Sequence, residues 1–343
     1  MKKLLNTLFV STPDVYVSLD GENIVVKKDS ESLGRYPLHN LESICIFGYA
    51  GISPAFMGAC VDRNIAITFI TKNGRYLARV IGETRGNVVL RKEQYRISDD
   101  ERRSALVSRN FIIGKIYNSK WILERATRDY PLRLDVEKIK AVSISLSQSM
   151  RAVRTVEELD TLRGVEGNAA VQYNSVFNDL ILQQKDHFFF NGRNKRPPLD
   201  NVNALLSFTY TLLSNDMKSA LEAVGLDAYV GFLHRDRPGR ASLALDMMEE
   251  LRSVYADRFV ISLINKKVIN HKGFYKKENG AVIMDDDTRK KVITAWQERK
   301  QEKIHHPFLD EKISWGLVPY AQALLLARFI RGDLDEYPPF FWK

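Results

Sequence analysis

Apolar and polar residues alternate along 15–19 and 23–27, two β-branched runs joined by Asp20-Gly21-Glu22, a turn sequence suited to a hairpin. Similar runs follow at 35–38, 43–47, 65–70 and 76–81, the last pair flanking Lys72-Asn73-Gly74. One stretch breaks the alternation. Ser53 suits an N-cap, Pro54 suits a first helical turn, and Phe56, Met57, Cys60 and Val61 recur at helical spacing. The pattern predicts a small, mostly antiparallel β domain carrying one helix. From residue 99 the apolar period lengthens to that of a helix. Leu106, Phe111, Ile112, Ile116, Trp121 and Ile122 mark one long helix. Further helices are predicted at 136–153, 157–184 (one or two), 203–224, 242–254, 285–302 and 313–330. The predicted class is α+β: a β-rich domain over 1–96, then an all-α domain over 97–343. Ile97-Ser98-Asp99-Asp100 supplies a helix cap near the boundary. A chain of 343 residues has room for two domains of roughly 150 residues.

Charge changes the picture more than size does. Lys and Arg total 51 against 42 Asp and Glu, a net charge of +9. The excess sits mainly in the helical part, because residues 1–100 hold 13 basic and 11 acidic side chains. A basic surface of this kind suits a polyanion. No apolar run approaches the roughly 18–20 residues of a membrane span. The apolar stretch within 1–10 has no small-residue cleavage site after it and reads as a strand. Cys45 and Cys60 lie in apolar stretches without zinc-ligand spacing, which predicts buried free thiols in a reducing cytoplasm.

Three segments carry candidate chemistry. Leu162-Arg163-Gly164-Val165-Glu166-Gly167 sets a glutamate between two glycines at an expected helix start. That is either ordinary close packing or a place where another backbone or a nucleic-acid strand approaches the carboxylate. Gly231-Phe232-Leu233-His234 leads into a Pro-Gly loop bearing Arg235, Arg237 and Arg240, side chains able to grip phosphates. In 241–252, Ser242 is placed to cap a helix on which Asp246 and Glu249 share a face, with Arg252 following. The alternative there is a solvated acidic face paired with Arg252. Taken together, Glu166, His234 and Glu249, with Asp246 beside them, offer hard oxygens and one imidazole. That set suits Mn²⁺ or Mg²⁺ better than structural zinc. A divalent ion ringed by arginines is equipped for phosphodiester chemistry.

Four segments in order, Arg163-Gly-Val-Glu-Gly-Asn-Ala-Ala, Asn203-Ala-Leu-Leu-Ser-Phe-Thr-Tyr, Gly231-Phe-Leu-His and Leu243-Ala-Leu-Asp-Met-Met-Glu-Glu-Leu-Arg, resemble the CRISPR-associated endonuclease/integrase family Cas1. The resemblance implies metal ligation by Glu166, His234 and Glu249, an accessory place for Asp246, and no cofactor beyond Mg²⁺ or Mn²⁺. It implies DNA contacts at Arg235, Arg237, Arg240, Arg252 and, close by, Arg163. It implies a homodimer, with two dimers bridged by a dimer of the small ferredoxin-like partner Cas2. Its reaction is insertion of new spacer DNA into a CRISPR repeat by 3′-hydroxyl attack on a phosphodiester. Where the family often has Phe-Arg-Pro, this chain has Leu251-Arg252-Ser253. The ending Tyr337-Pro-Pro-Phe-Phe-Trp-Lys is similar to the subtype I-C branch. A non-catalytic DNA-binding scaffold and a related transposon-borne integrase are the competing readings. Three further segments stay open. His305-His306 reads as surface or loop, Asp285-Asp286-Asp287 as a helix cap, and 265–277 as either a solvated loop or a basic, aromatic DNA contact.

Overall fold

The computed structural model describes residues 6–71, 76–80, 82, 88–194 and 197–342. The chain divides into two compact units, one of Met1–Arg85, Arg289–Glu302 and Ser314–Leu317, the other of Gly86–Thr288, Lys303–Ile313 and Val318–Lys343.

The first unit contains strands β1 (Asn6–Val10), β2 (Tyr16–Asp20), β3 (Asn23–Lys28), β4 (Glu31–Pro37), β5 (Leu41–Phe47) and β6 (Gly51–Ile52), helix α1 (Pro54–Asp62), then β7 (Ala66–Ile70) and β8 (Tyr76–Val80). They form two four-stranded sheets, ordered β1-β5-β7-β8 and β4-β3-β2-β6. The β2–β3 hairpin turns through Gly21 at φ +58°, a left-handed conformation that glycine adopts without strain. Mostly antiparallel pairing was expected. It holds for β2, β3 and β4, but β1, β5 and β7 are parallel, and β6 joins β2 in parallel. The cause is connectivity: α1 crosses between β5 and β7, and β2 to β4 intervene between β1 and β5, so each return runs in the same direction. Val17, Ile24, Ile44, Ile46 and Ile67 from both sheets share one core with Phe56 and Cys60 of α1. Ser53 caps α1 by accepting from the Phe56 amide at 3.2 Å. Cys45 and Cys60 are buried cysteines outside any disulfide among the described residues, and burial pushes the Cys60 thiol up to about 12. The expected Lys72-Asn73-Gly74 turn and Ile81 lie outside the described residues.

The second unit contains α2 (Val88–Asp99), α3 (Glu101–Asp129), α4 (Val136–Val153), α5 (Leu159–Ser175), α6 (Asn201–Ala223), α7 (Ser242–Leu251), α8 (Arg258–Asn265), β9 (Phe274–Lys276), β10 (Val282–Met284), α9 (Asp286–Gln301), β11 (Lys303–His306), β12 (Glu311–Ser314) and α10 (Val318–Ile330). The later part of α9 belongs to the first unit. The expected all-α character is broken by two short two-stranded ladders, β9–β10 and β11–β12. The division falls at Arg85/Gly86, not at 96/97. Helix α2 belongs with the helices because the buried Gln94 amide donates to the Asp227 and Val230 carbonyls, both at 2.8 Å.

Helix α3 is the hub, with α4, α5 and α7 packed on it. It starts where the sequence indicated: Asp100 accepts from the Arg103 amide at 3.0 Å. Asp285 likewise accepts from the Thr288 amide at 2.7 Å, so the acidic triplet begins α9. His305 is exposed, but His306 is buried against expectation. Its ring pairs with Gln322 at 3.0 Å, and burial lowers it to about 4. The aromatic tail folds onto its own chain, with Tyr337, Phe340 and Trp342 buried.

Candidate metal centre

Helices α5 and α7 both lie on α3, and each brings one carboxylate to it. Glu166 sits in the middle of α5, which begins seven residues earlier at Leu159, so it does not open the helix as expected. Neither Gly164 nor Gly167 has any atom within 4 Å of where a Cβ would stand, which leaves the flanks of Glu166 open. Glu249 ends the face of α7 that also carries Asp246. Ser242 is the first residue of α7 and not its cap; no side chain caps this helix.

Both glutamates meet Lys115 of α3. Its ammonium is ion-paired to Glu166 and stands 2.7 Å from Glu249 Oε2. The other oxygen of Glu249 takes Arg252 Nη2 at 2.6 Å. Burial would push the Glu249 carboxyl up, but the charges of Arg252, Lys115 and His234 outweigh it and hold it at about 2. Gly114 permits this approach, since a Cβ there would meet the Glu250 Cβ at 2.9 Å.

His234 is held by a different acid. Its Nδ1 lies 2.6 Å from Asp246 Oδ1. Asp246 is fully buried, and its carboxylate also accepts from the backbone amides of Phe232, Leu233 and His234 at 2.7, 2.9 and 3.0 Å. Gly231 lets the loop come this close, because a Cβ there would stand 2.7 Å from Asp246 Oδ2. An Nδ1–H donated to Asp246 leaves the Nε2 lone pair for a ligand or a proton. Arg163 closes the loop from the other side, with Nε and Nη2 on the Leu233 carbonyl at 2.9 and 2.6 Å.

The structure therefore brings Glu166 and Glu249 onto one ammonium and His234 onto Asp246. Among the described residues no three His, Cys, Asp or Glu side chains already converge as a ligand set. The donor chemistry nonetheless fits a hard divalent ion. A cation already stands between the two carboxylates, the Lys115 ammonium 2.7 Å from buried Glu249 Oε2 and ion-paired to Glu166, and a metal ion would carry the same sign of charge there.

The arginines separate into two groups. Arg235 and Arg237 are exposed, Arg235 within 3.3 Å of Asp160. Arg240 is half-buried, its Nε 3.3 Å from Ser242. Arg252 stacks 4.9 Å from the centre of the Tyr210 ring, and Arg193 covers the same ring at 5.3 Å. Beside them is a cavity of about 70 Å³ whose lining includes Lys115, Asn174, Arg193, Tyr210, Arg252 and Asp257. Burial raises Asp257 to about 6, and it accepts from the Tyr210 hydroxyl at 2.5 Å. Asn203, from the second motif, acts behind this wall by accepting from Arg193 at 2.7 Å.

A family model described as CRISPR associated protein Cas1 matches residues 8–298. The chain belongs to the Cas1 family. It is 50% identical to the CRISPR-associated endonuclease Cas1 1 of Chlorobaculum tepidum and 48% identical to the Cas1 2 endonuclease of Rhodospirillum rubrum, in each case over the whole of both chains. In fold it is similar to a casposase bound to its integration product, with TM-score 0.84 and 22% identity over 98% of this chain and 94% of that one. A Cas1 protein of Thermotoga maritima matches at TM-score 0.81 and 20% identity, over 98% of this chain and all of the other.

Lys115, Arg193 and Asp257 were not picked out from sequence, and Tyr210 entered only as the last residue of the second motif. Lys115 left one signal, a single cation inside the apolar run Phe111-Ile112-Ile113-Gly114-Lys115-Ile116 of α3. In 265–277, Asn265 is structural, its amide bonded to Leu180 and Leu182, while Lys266, Lys267, Lys272, Lys276 and Lys277 are exposed.

Proposed function

We propose that this Cas1-family chain is a divalent-metal-dependent DNA endonuclease and integrase of CRISPR adaptation. The observation that carries the reading is the drawing of Glu166 and Glu249, from two different helices, onto the Lys115 ammonium, with Arg252 on the other oxygen of Glu249. Glu166, His234 and Glu249 are the ligands. Bound there, Mg²⁺ or Mn²⁺ supplies charge for the phosphate oxygens. Asp246 fixes the tautomer and direction of His234 and is a positioning residue. Arg163 holds the same loop through Leu233. Arg235, Arg237, Arg240 and Arg252 receive the DNA phosphates.

In the reaction, the 3′-hydroxyl of a captured fragment gives up its proton to solvent and its oxygen forms a bond to a repeat phosphorus. The bond from that phosphorus to the repeat strand's own 3′-oxygen breaks, and this oxygen takes up a proton to leave a free 3′-hydroxyl. Two such exchanges, on opposite strands, insert one spacer. The partners are double-stranded DNA (protospacer and CRISPR repeat), a second copy of this chain and Cas2, with two dimers bridged by one Cas2 dimer. The β-rich unit supplies the dimer and docking surfaces. The site of action is the cytoplasm; among the described residues no helix is long and apolar enough to cross a membrane.

The test is strand transfer of a labelled fragment into repeat-bearing DNA with Mn²⁺. Alanine at Glu166, His234 or Glu249 should abolish product while far-UV circular dichroism stays native. Near-normal integration by a folded His234→Ala protein would overturn the assignment. DNA binding with no turnover in the wild type would favour a scaffold, and insertion only beside terminal inverted repeats would favour a transposon-type integrase.

A further inference from the structure

Lys115 has one of the least comfortable positions in the helical unit. It rises from the apolar face of α3, and its side chain is only 10% exposed. An ammonium so placed loses hydration that only nearby anions can compensate. Two do, and they are the two carboxylates assigned above as metal ligands. Both pairs are close, with Glu249 Oε2 2.7 Å from the ammonium. Without Lys115, buried Glu249 would lose one of the two cations ion-paired to it, and Glu166 would face it as a like charge.

We infer that Lys115 is a built-in place-holder for the divalent ion: in metal-free protein its ammonium neutralises Glu166 and Glu249, and metal loading requires its displacement. The inference rests on the metal-site reading above. A lysine suits the task where an arginine would not. Its ammonium is a point charge on a flexible stem, so it leaves carboxylates more readily than a bidentate guanidinium fork. It also has somewhere to go, because it lines the adjoining cavity with Asn174, Tyr210 and Asp257. Lys115 is thus a positioning residue that sets the affinity and rate of loading, and it keeps the site from collapsing or repelling itself before the ion arrives.

Mn²⁺ binding to the chelator-treated full-length protein tests this without any catalytic readout. Free Mn²⁺ is followed by electron paramagnetic resonance, and melting by calorimetry with and without the ion. Lys115→Met should bind Mn²⁺ about tenfold or more tightly, because a competing charge is gone from between the carboxylates. The same protein should melt lower than wild type without metal and gain more on adding it. Lys115→Arg should move affinity the other way, about tenfold weaker, with native melting. The second variant keeps the test decisive if the first fails to fold. Equal Mn²⁺ affinity in wild type and either folded variant, or weaker binding by Lys115→Met, overturns the place-holder. Glu249→Gln separates the two levels. If wild type binds Mn²⁺ and Glu249→Gln does not, the site stands whatever Lys115 does. If wild type binds none, both readings fall.

Discussion

At the scale of single residues, the centre is governed by which acid owns which partner. Asp246 and Glu249 are three residues apart on α7, share one face and are both buried. Their partners separate them. Asp246 spends its oxygens on three backbone amides and the His234 ring, whereas Glu249 faces cations. Asp246→Asn keeps the shape but removes the charge that favours an Nδ1 proton on His234, and it offers one acceptor oxygen in place of two. Expected is a loss of about 10- to 100-fold in metal affinity or strand transfer, with the fold retained. A Mn²⁺ titration of strand-transfer rate checks it: saturation at higher Mn²⁺ fits a positioning role, and an unchanged curve does not. Arg163→Lys should also weaken transfer, because a lysine cannot match the two-pronged grip on the Leu233 carbonyl. Comparing KM for DNA with kcat separates loop positioning from phosphate contact, since positioning lowers kcat.

At the scale of elements, α3, α7 and the C-terminal tail behave as one buried unit. Asn118 of α3 donates to the Glu250 and Phe340 carbonyls, both at 2.7 Å, and accepts from the Trp342 amide at 2.9 Å. Glu250 accepts from the Tyr337 hydroxyl at 2.5 Å and the Phe340 amide at 2.8 Å. Arg125 and Arg258 each lie over the Trp342 ring, 4.0 and 4.7 Å from its centre. Burial, partly offset by these hydrogen bonds, raises the Glu250 carboxyl from 4.5 to about 7. The folded protein therefore keeps a proton that the unfolded chain releases near 4.5. This contribution to stability is full below that pH and is lost as pH rises towards 7. Asp257, raised to about 6, acts in the same direction, and His306, lowered to about 4, acts in the opposite one, so the readout is wild type measured against Glu250→Gln. The melting temperature of wild type relative to that variant should fall from pH 4.5 to 7. A difference that stays flat or rises would show that the Glu250 proton is not held. Trp342→Ala should cost about 3–5 kcal/mol in chemical denaturation, as for a buried aromatic.

The tail also shows how far the sequence could be read. Its aromatic residues had to be covered, but apolarity does not name the partner. Helices were legible wherever the apolar period was long, as in Val136–Val153, predicted to the residue. Strand direction was not, because a parallel and an antiparallel strand carry the same alternation. The candidate residues on α5, the 231–240 loop and α7 stood out through glycine, histidine and paired acids. The residues packed against them did not. Lys115 and Arg193 acquire their meaning only when α3 meets α5 and α7, and when Asn203 turns Arg193 toward Tyr210. The π-helical turn Arg252–Asp257, which carries Arg252 and Asp257 round to the cavity, has no sequence mark in the run Arg252-Ser253-Val254-Tyr255-Ala256-Asp257.

At the scale of the whole molecule, the net charge of +9 predicts DNA binding that weakens steeply with salt, the slope of log affinity against log salt reporting the phosphates engaged. The division into units bears on a second experiment. Sequence alone invites removal of residues 1–96 to leave a soluble, monomeric helical domain. The unit boundaries argue otherwise, because 289–302 and 314–317 belong to the β-rich unit. Gln297 donates to the Thr7 carbonyl at 2.7 Å, Lys300 lies 3.3 Å from the Thr7 hydroxyl, and Arg289 covers the Phe47 ring at 5.9 Å. Trp296 and Trp315, both buried, belong to the same unit. Deleting 1–85 therefore leaves the later part of α9 and the Trp315 segment without the strands of their own unit, an apolar surface that water does not tolerate. The expected fragment binds a hydrophobic dye and aggregates in light scattering, even with Glu166, His234 and Glu249 intact. A dye-silent monomer that melts cooperatively would show that the helical unit folds without that support, and a dye-silent dimer would place the dimer interface on the helices.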